Sequence, residues 1–162
     1  MIDVDETDTL YGCVRADTLG QTVIHATREQ YIDAVKALTD DGYSMCVDLT
    51  AVDHLANAAR TLPDGIAPER YEVVVNFLDM AAGRRIRLRV QVPADDPTVP
   101  TLFDIHPGTE AMEREAYDMF GIVFTDHPDL TRILMPEDWE GHPLRKDYDV
   151  GSIPVQFKGA PS

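Results

Sequence analysis

Histidines and carboxylates in the second half of the chain are the residue types that could hold a catalytic zinc or iron ion. The histidines are His106, His127 and His142, and the acids are Glu113, Glu115 and Asp118. No two of these histidines have the i, i+4 spacing that places two ligands on one helix face, and they precede prolines in predicted turns. A standalone metal-dependent hydrolase using His127, His142 and Glu115 is therefore the less favoured hypothesis.

The same acids could instead form a paired acid and base. Arg114 lies between Glu113 and Glu115, which favours ionised, ion-paired carboxylates with lowered pKa values. On a helix, Glu115 and Asp118 are three residues apart and Arg114 and Asp118 are four apart, so each pair can meet on one face. We therefore predict structural salt bridges here and no catalytic residue. A nucleophile elbow, a phosphate loop and a dinucleotide fingerprint are all missing from the sequence.

Cysteine content and charge limit the other kinds of chemistry. Cys13 and Cys46 are the only cysteines, whereas an iron–sulfur cluster usually takes four thiolates. Cys46 lies in an apolar run, which predicts a buried, unreactive thiol. We predict neither a metal nor a cofactor on this chain. The net charge of −15 disfavours contact with nucleic acid and with anionic lipid.

Membrane spans and targeting segments are not predicted either. The apolar stretches are only a few residues long, far short of a membrane span. Three of the first six residues are acidic and none is basic, unlike a secretory or organellar targeting segment. We expect the protein in the cytoplasm or on the cytoplasmic face of a larger assembly.

The elements that must position these residues begin with short strands around Gly20 and a helix. Thr27 is the predicted cap of this helix, Gln30 occupies the reciprocal capping-box position and Gly42 follows its end. Its buried stripe, at helical spacing, consists of Tyr31, Ala34, Val35 and Leu38. A strand over 43–52 and an exposed loop over 56–69 follow.

Two runs with period-two alternation predict a hairpin over 71–79 and 84–92. Apolar residues of both runs point to one side. Arg85, Arg87 and Arg89 point to the other. This row is either a solvated face paired with local carboxylates or a positive strip that docks a partner's carboxylates.

The last third of the chain contains one more predicted helix, at about 110–120, which begins after Thr109 and stops at Gly121. Residues 122–162 are rich in proline and predict extended chain, with one helical turn near 129–134. We expect this segment to be disordered or to lie along another protein. The predicted fold is α+β: a mainly antiparallel sheet with helices on one side, a globular part over 1–121 and a C-terminal arm over 122–162.

Several segments of the second half are similar to a known family signature in order and spacing. They are Glu-Arg-Glu-Ala-Tyr-Asp-Met-Phe-Gly-Ile at 113–122, His-Pro-Asp-Leu at 127–130, Arg-Ile-Leu at 132–134 and Trp-Glu-Gly-His-Pro-Leu-Arg-Lys-Asp-Tyr at 139–148. Together they resemble the C-type subunit of respiratory NADH:quinone oxidoreductase (complex I). The chain departs from the family pattern at Glu110-Ala111, where Asn-Trp is usual, at His106 and at Thr131. The segment 151–159 favours the bacterial complex I type.

The resemblance implies a subunit without flavin, cluster or quinone chemistry of its own. It implies a place in the peripheral arm of a proton-translocating enzyme, on the cytoplasmic face of the cell membrane. The implied partners there are the quinone-chamber (D-type) subunit and cluster-bearing iron–sulfur subunits. Related subunits of energy-converting hydrogenases and of dehydrogenases with other electron donors are the alternative.

The implied role of the signature residues is partner contact. They are Glu113, Arg114, Glu115, Asp118, Gly121, His127, Pro128, Leu130, Arg132, Trp139, Gly141, His142, Pro143, Leu144, Arg145, Lys146 and Asp147. For Trp139 the residues leave two interpretations open, an interface anchor or a cover for the edge of its own core. Arg145→Glu is expected to lower assembly and to leave the melting temperature nearly unchanged.

Overall fold

A six-stranded sheet with two helices on one face is the main feature of the computed structural model, which describes residues 8–57, 59–149 and 151. The strand order is β1-β2-β3-β6-β5-β4. The strands are β1 (Thr9–Leu10), β2 (Cys13–Thr18), β3 (Gln21–Ala26), β4 (Met45–Asp53), β5 (Tyr71–Asp79) and β6 (Arg84–Val92). All neighbours pair antiparallel except β3 and β6. The predicted α+β class with a mainly antiparallel sheet is confirmed.

The first helix, α1, covers Tyr31–Asp40, and the predicted capping box lies just before it. The Thr27 N–H donates to Gln30 Oε1 at 3.0 Å, and the Gln30 N–H donates to Thr27 Oγ1 at 3.2 Å. The predicted stripe is buried. The helix ends before Gly42, whose φ of 102° is in the left-handed region that favours glycine.

The hairpin of β5 and β6 is confirmed with the predicted bounds. Buried and less buried side chains alternate along both strands, and Val73, Val75 and Leu88 are fully buried on the side that the helices cover. One hydrophobic core fills the space between this side of the sheet and the two helices. Cys46 packs against that core, half-buried, and burial raises the pKa of its thiol to about 12, so the thiol stays protonated.

A second, two-stranded parallel sheet joins the segments before and after the second helix. β7 (Thr98–Pro100) pairs with β8 (Val123–Thr125), and the helix α2 (Glu110–Phe120) connects them after a short 3-10 turn at Pro107–Thr109. Strand β8 was not predicted, because three residues are too short for a period-two pattern. Phe124 at its centre is buried in the core.

The opposite face of the large sheet carries the arginine row. Arg89 forms an ion pair with Glu72 at 2.6 Å, and Glu72 is fully buried on this face. Arg87 donates through Nε to the Asn76 side chain at 3.0 Å. Pairing with a local carboxylate therefore holds for Arg89, whereas Arg85 has no ion pair among the residues that the structure describes.

Candidate partner interface

The C-terminal end of α2 is closed by residues that follow it in the sequence. The last carbonyls of a helix have no partner within the helix and need donors from elsewhere. Here the Tyr117 carbonyl accepts from the Gly121 N–H at 2.8 Å, and the Met119 carbonyl accepts from the Leu144 N–H at 3.0 Å. His142 Nδ1 donates to the Asp118 carbonyl at 2.9 Å. The remaining carbonyl, of Phe120, accepts from Arg145 Nε at 2.6 Å.

Gly121 is required at this junction for two reasons. Its φ is 75°, which is unfavourable for residues with a Cβ atom. A Cβ atom built here would also lie 2.3 Å from Arg145 Nη2 and 2.7 Å from His142 Nε2. The close approach of these two side chains thus depends on glycine, and two cationic residues, Arg132 and Arg145, reach the negative end of the helix dipole.

Asp118 organises the chain that follows the second sheet. Its carboxylate is fully buried, pairs with Arg132 at 2.6 Å and accepts backbone N–H bonds from Ile133, Leu134 and Met135 at 2.8–3.0 Å. Burial opposes ionisation, but these hydrogen bonds outweigh it and lower the pKa of Asp118. The helical turn predicted near 129–134 is wrong, because this carboxylate takes the N–H groups that such a turn would use.

The predicted partners within α2 are also wrong. Arg114 pairs with Glu110 at 3.0 Å and donates to the Thr131 carbonyl and side chain, instead of reaching Asp118. Glu115 is exposed and forms no ion pair among the residues that the structure describes. Sequence spacing identified groups that form salt bridges but could not show that the later segment competes for them.

Glu113 lies on the opposite, inward side of α2 and is fully buried. It accepts hydrogen bonds from the Thr101 hydroxyl, the Leu102 N–H at 2.7 Å and the Thr109 hydroxyl at 3.2 Å. Burial raises the pKa of Glu113 despite these bonds, so the predicted lowering is wrong for this residue. His127 is 3.9 Å away.

The histidines are each committed to local contacts. His127 accepts from the Asp129 N–H through Nδ1 at 3.1 Å, which assigns the proton to Nε2, 3.2 Å from the Glu110 carbonyl. His106 packs on Phe77, with ring centroids 5.4 Å apart. Within residues 8–57, 59–149 and 151, no group of three or more His, Cys, Asp or Glu residues could hold a metal ion. The hydrolase hypothesis finds no support in this geometry.

The end of the described chain is tied to strands β4 and β5. The Lys146 N–H donates to the buried Asp53 carboxylate at 2.8 Å. Arg70 bridges Asp53 at 2.9 Å and Asp147 at 2.6 Å. Burial opposes ionisation of Asp53, yet the hydrogen bonds from Arg70, Lys146 and Leu55 lower its pKa to about 2.

Sequence reasoning missed Asp53 and Arg70. The available signal was a carboxylate at a core-facing position of an alternating strand, after Leu49 and Ala51, since such a group needs a partner. The expectation that the arm would be disordered or lie only on another protein is wrong for residues 122–149, which contact their own domain. The predicted division into a globular part and an arm after residue 121 stays a prediction. Of the segment that favours the bacterial complex I type, residues 152–159 lie outside the described residues.

Trp139 and its neighbours form the outermost part of this segment. The Trp139 indole N–H donates to the Tyr148 hydroxyl at 3.2 Å, and the ring is half-buried. Gly141 has a φ of 85° and lies against the Tyr148 ring, where a Cβ atom would be 2.8 Å from it. Pro128 and Lys146 are exposed, and Leu130 packs against the core. Partner contact by these residues stays a prediction.

Three apolar side chains on this surface point to solvent. Ile133 is 40% exposed, Leu134 is 60% exposed and Leu144 is 46% exposed. Their backbones are fixed by the contacts to Asp118 and Met119 described above. We call Ile133, Leu134 and Leu144, whose backbone N–H groups all bond to the last turn of α2, the apolar rim.

Comparison with known proteins gives the family. The family model described as the 30 Kd subunit of respiratory-chain NADH dehydrogenase matches residues 24–153. The chain belongs to this family. The resemblance drawn from the signature segments is confirmed, and all the residues that carry it lie within the match.

Curated relatives carry the same assignment. The C-type subunit of the NADH-quinone oxidoreductase of Saccharopolyspora erythraea is 42% identical over 144 residues, 87% of this chain and 54% of that protein. The corresponding subunit of Salinispora arenicola is also 42% identical, over 87% of this chain and 55% of its own length. The chain therefore spans about half the length of the curated relatives that it matches.

Solved structures agree with the fold. A trypsin-resistant fragment of Nqo5 is 34% identical, with a TM-score of 0.63 over 74% of this chain and 90% of that chain. The membrane-bound sulfane sulfur reductase, an archaeal respiratory membrane complex, contains a chain with a TM-score of 0.67 and 20% identity, which shows the fold alone. In the described part of this chain, no helix combines the length and apolar character of a membrane span.

Proposed function

We propose that this chain is a non-catalytic structural subunit in the peripheral arm of a proton-translocating NADH:quinone oxidoreductase. Its role is to hold the quinone-chamber (D-type) subunit and neighbouring iron–sulfur subunits in fixed relative positions. Flavin and clusters belong to those partners, and this chain binds none. The complex places it on the cytoplasmic face of the cell membrane. Membership in the 30 Kd subunit family and the names of its relatives support this proposal.

The observation that carries the proposal is the apolar rim on a rigid support. Exposed apolar side chains on an ordered surface are typical of protein–protein contacts. The rim backbone is held by a buried ion pair and by a capped helix end, so its side chains are presented in one arrangement. A preorganised surface loses less conformational entropy on binding than a mobile one.

Fixed geometry is what a redox assembly needs from such a subunit. Electron tunnelling between clusters weakens steeply with distance, so partners must not shift relative to one another. The contacts of Asp53, Asp118 and Arg145 join the sheet, α2 and the following segment into one unit. A partner that binds the apolar rim is therefore held relative to the whole domain.

Replacement of Leu134 by glutamate tests the proposal. Leu134 uses its backbone N–H within the fold while its side chain is mostly exposed, so the variant should fold normally. We expect at least a several-fold loss of assembled complex and of NADH:quinone activity in membranes, because a buried unpaired charge costs several kcal/mol. Solubilised membranes analysed by native gel electrophoresis give the measurement.

Met80→Glu is the matched control, since Met80 is an exposed apolar residue (66%) in the hairpin turn, away from the rim. Its complex yield should equal that of the unchanged protein. Equal yields for both variants, with normal melting temperatures, would count against the rim as a partner surface.

Limited trypsin digestion supplies a second test. The Nqo5 relative has a trypsin-resistant fragment, and in this chain Arg132, Arg145 and Lys146 are candidate cleavage sites beyond α2. The Lys146 side chain is exposed but its backbone N–H is bonded to Asp53, so cleavage there requires local opening and should be slower in solubilised complex than in the isolated chain. Identical cleavage rates in both samples would argue against burial of this segment by a partner.

A further inference from the structure

A groove of about 710 Å³ lies on the face of the large sheet that no helix of the described chain covers. It is open beside the β2–β3 and β5–β6 turns, at Gly20 and Gly83. Its polar lining comes from Gln21, Thr22, Asp48, Asn76, Arg85 and Arg87. None of the signature residues contributes to it, so it is separate from the apolar rim.

The two arginines in the groove have guanidinium N–H groups with no carboxylate partner among the described residues. Arg85 is exposed and has no carboxylate within 4.0 Å among the residues that the structure describes. Arg87 uses its Nε–H on Asn76, and its terminal nitrogens make no ion pair within that same set. In contrast, the neighbouring Arg84 and Arg89 are both paired with carboxylates. Among the described residues, Arg85 and Arg87 thus have no carboxylate partner, although the chain has 29 acids and 14 basic residues.

The spacing of these cations matches an extended peptide. Arg85 and Arg87 are two residues apart on one strand, so their side chains leave the same face about 6.6 Å apart, at ~3.3 Å per residue. Acidic side chains at positions i and i+2 of an extended segment have the same separation. A guanidinium group matches a carboxylate through two parallel hydrogen bonds.

Asp48 and Val47 restrict what can occupy the groove. Asp48 lies opposite Asn76 in the β4–β5 register, beside a strand irregularity between Cys46 and Asp48. Its negative charge disfavours a continuous run of phosphates and directs acidic side chains towards β6 and the neutral Gln21. Val47, 43% exposed, supplies an apolar contact of the kind a peptide side chain uses. These features favour a polypeptide over nucleic acid or lipid.

We infer that this groove docks an extended segment of a partner polypeptide that carries acidic residues at alternate positions, bound by Arg85 and Arg87. The inference goes beyond the proposed function, because it concerns a second docking surface and holds for any assembly that contains this chain. The chain then has two contact surfaces of different chemistry, one apolar and one cationic.

Peptide binding by the full chain tests the charge geometry. The probes are two dye-labelled nonapeptides of identical composition, one with two glutamates separated by a threonine and one with the two glutamates adjacent. Fluorescence anisotropy should show several-fold tighter binding of the alternating peptide. Arg85→Gln should weaken it about tenfold, the size of one lost charge-assisted hydrogen bond. Asp48→Asn should tighten it, because a like charge is removed.

Equal affinity for the two peptides, no measurable binding at millimolar concentration, or no effect of Arg85→Gln would each overturn the inference. Arg28→Gln is the control, since Arg28 is a cation outside the groove, paired with Asp96 at 2.8 Å. It should leave peptide affinity unchanged.

Photo-crosslinking from position 21, which lines the groove on the arginine side of β3, identifies the occupant in native membranes without removing either arginine. A crosslink to another polypeptide, at a segment with acids at alternate positions, supports the inference whichever complex contains it. A crosslink to lipid, to residues 1–7 of the same chain, or to no polypeptide overturns it. Failure of the apolar rim experiment would leave this readout interpretable, because the two surfaces share no residue.

Discussion

Single carboxylates in this protein fix whole segments of backbone. Asp118 accepts three successive N–H bonds and one arginine, and Asp53 accepts the Lys146 N–H beside Arg70. Both side chains are buried. A buried charge is tolerated only with partners. Each of these carboxylates can therefore stay ionised only while the distant residues that bond to it are in place.

Asp118→Asn should lower the free energy of unfolding by about 3 kcal/mol, because the variant leaves Arg132 without its counterion and a buried polar site partly unmatched. The amides of Ile133, Leu134 and Met135 should exchange with solvent faster, as measured by hydrogen exchange. Glu115→Gln on the exposed side of α2 serves as the control and should change stability by less than about 0.5 kcal/mol. Unaltered exchange at 133–135 would show that Asp118 does not hold this segment.

Gly121→Ala should destabilise the protein by more than Gly83→Ala does. Both glycines have positive φ angles, 75° and 65°, but only at Gly121 would the new Cβ atom meet other side chains. The comparison separates backbone strain, of about 1 kcal/mol, from steric displacement of Arg145 and His142. Urea midpoints give the measurement, and equal losses would show that the two side chains move aside freely.

At the level of elements, the hairpin and α1 could be predicted closely from the sequence, because each element carries its own signal. Alternation defined β5 and β6, and the Thr27–Gln30 pair marked the start of α1. The segment after β8 could not be predicted, because the hydrogen bonds that fix it go to α2 and to Asp53 of β4 or close short, non-repeating turns. Local patterns report periodic contacts, and this segment has none.

The row containing Arg85, Arg87 and Arg89 illustrates the same limit. Sequence alone left open whether the row pairs locally or meets a partner. The structure divides it, since Arg89 pairs with the buried Glu72 whereas Arg85 does not pair within the described residues. The loop that precedes β5 also reaches Glu72, since His54 Nε2 lies 3.8 Å from its carboxylate and Arg60 donates to Gln91, whose amide donates to Glu72.

His25 in β3 and His54 at the start of this loop make stability sensitive to mild acid. Burial lowers the pKa of His25 and of His54, with smaller effects from Arg89 and Arg60, respectively. Below about pH 6.5 the unfolded chain therefore binds more protons than the folded chain, and the free energy of unfolding decreases as the pH falls. The loss ends once the pH is below the folded pKa values.

His25→Gln with His54→Gln should reduce this dependence between about pH 7 and pH 5, a window set by the normal histidine pKa. Burial also lowers the pKa of His106 and of His142, so a smaller slope should remain. Chemical denaturation at a series of pH values gives the slopes. Above pH 7 the curves of the variant and the unchanged protein should run parallel, which is the internal control. The carboxylate Asp53, with a pKa of about 2, acts in a separate window, as stability is lost from its normal pKa of 3.8 downward. An unchanged slope above pH 5 would exclude both histidines.

For the molecule as a whole, residues 122–149 are part of the fold, and we propose that they are also a surface for partners. The family and the fold class could be recognised from the sequence, since the signature lies on consecutive short segments. The expectation from sequence that Arg145→Glu would leave the melting temperature unchanged conflicts with the geometry. Arg145 caps the Phe120 carbonyl and lies 5.5 Å from the centre of the Tyr71 ring.

Arg145→Glu should therefore lower the melting temperature and the yield of assembled complex together. Lys146→Glu should lower only the yield, because Lys146 contributes its backbone N–H to the fold and its side chain is exposed. Differential scanning calorimetry of both variants, together with native gels of solubilised membranes, gives the two readouts. A normal melting temperature for Arg145→Glu would mean that water satisfies the Phe120 carbonyl as well as Arg145 does.

The closure of α2 by residues 132–145 sets an order of events during synthesis. When a ribosome has just released Phe124, the helix sequence is complete but the carbonyls of Asp118, Met119 and Phe120 have only water as partners. Arg132 emerges eight residues later, and the other donors, His142, Leu144 and Arg145, emerge about twenty residues later, a delay of one to several seconds at ~5–20 residues per second. Until then the nascent chain exposes a frayed helix end, and premature termination in this interval leaves a product that chaperones and proteases can recognise.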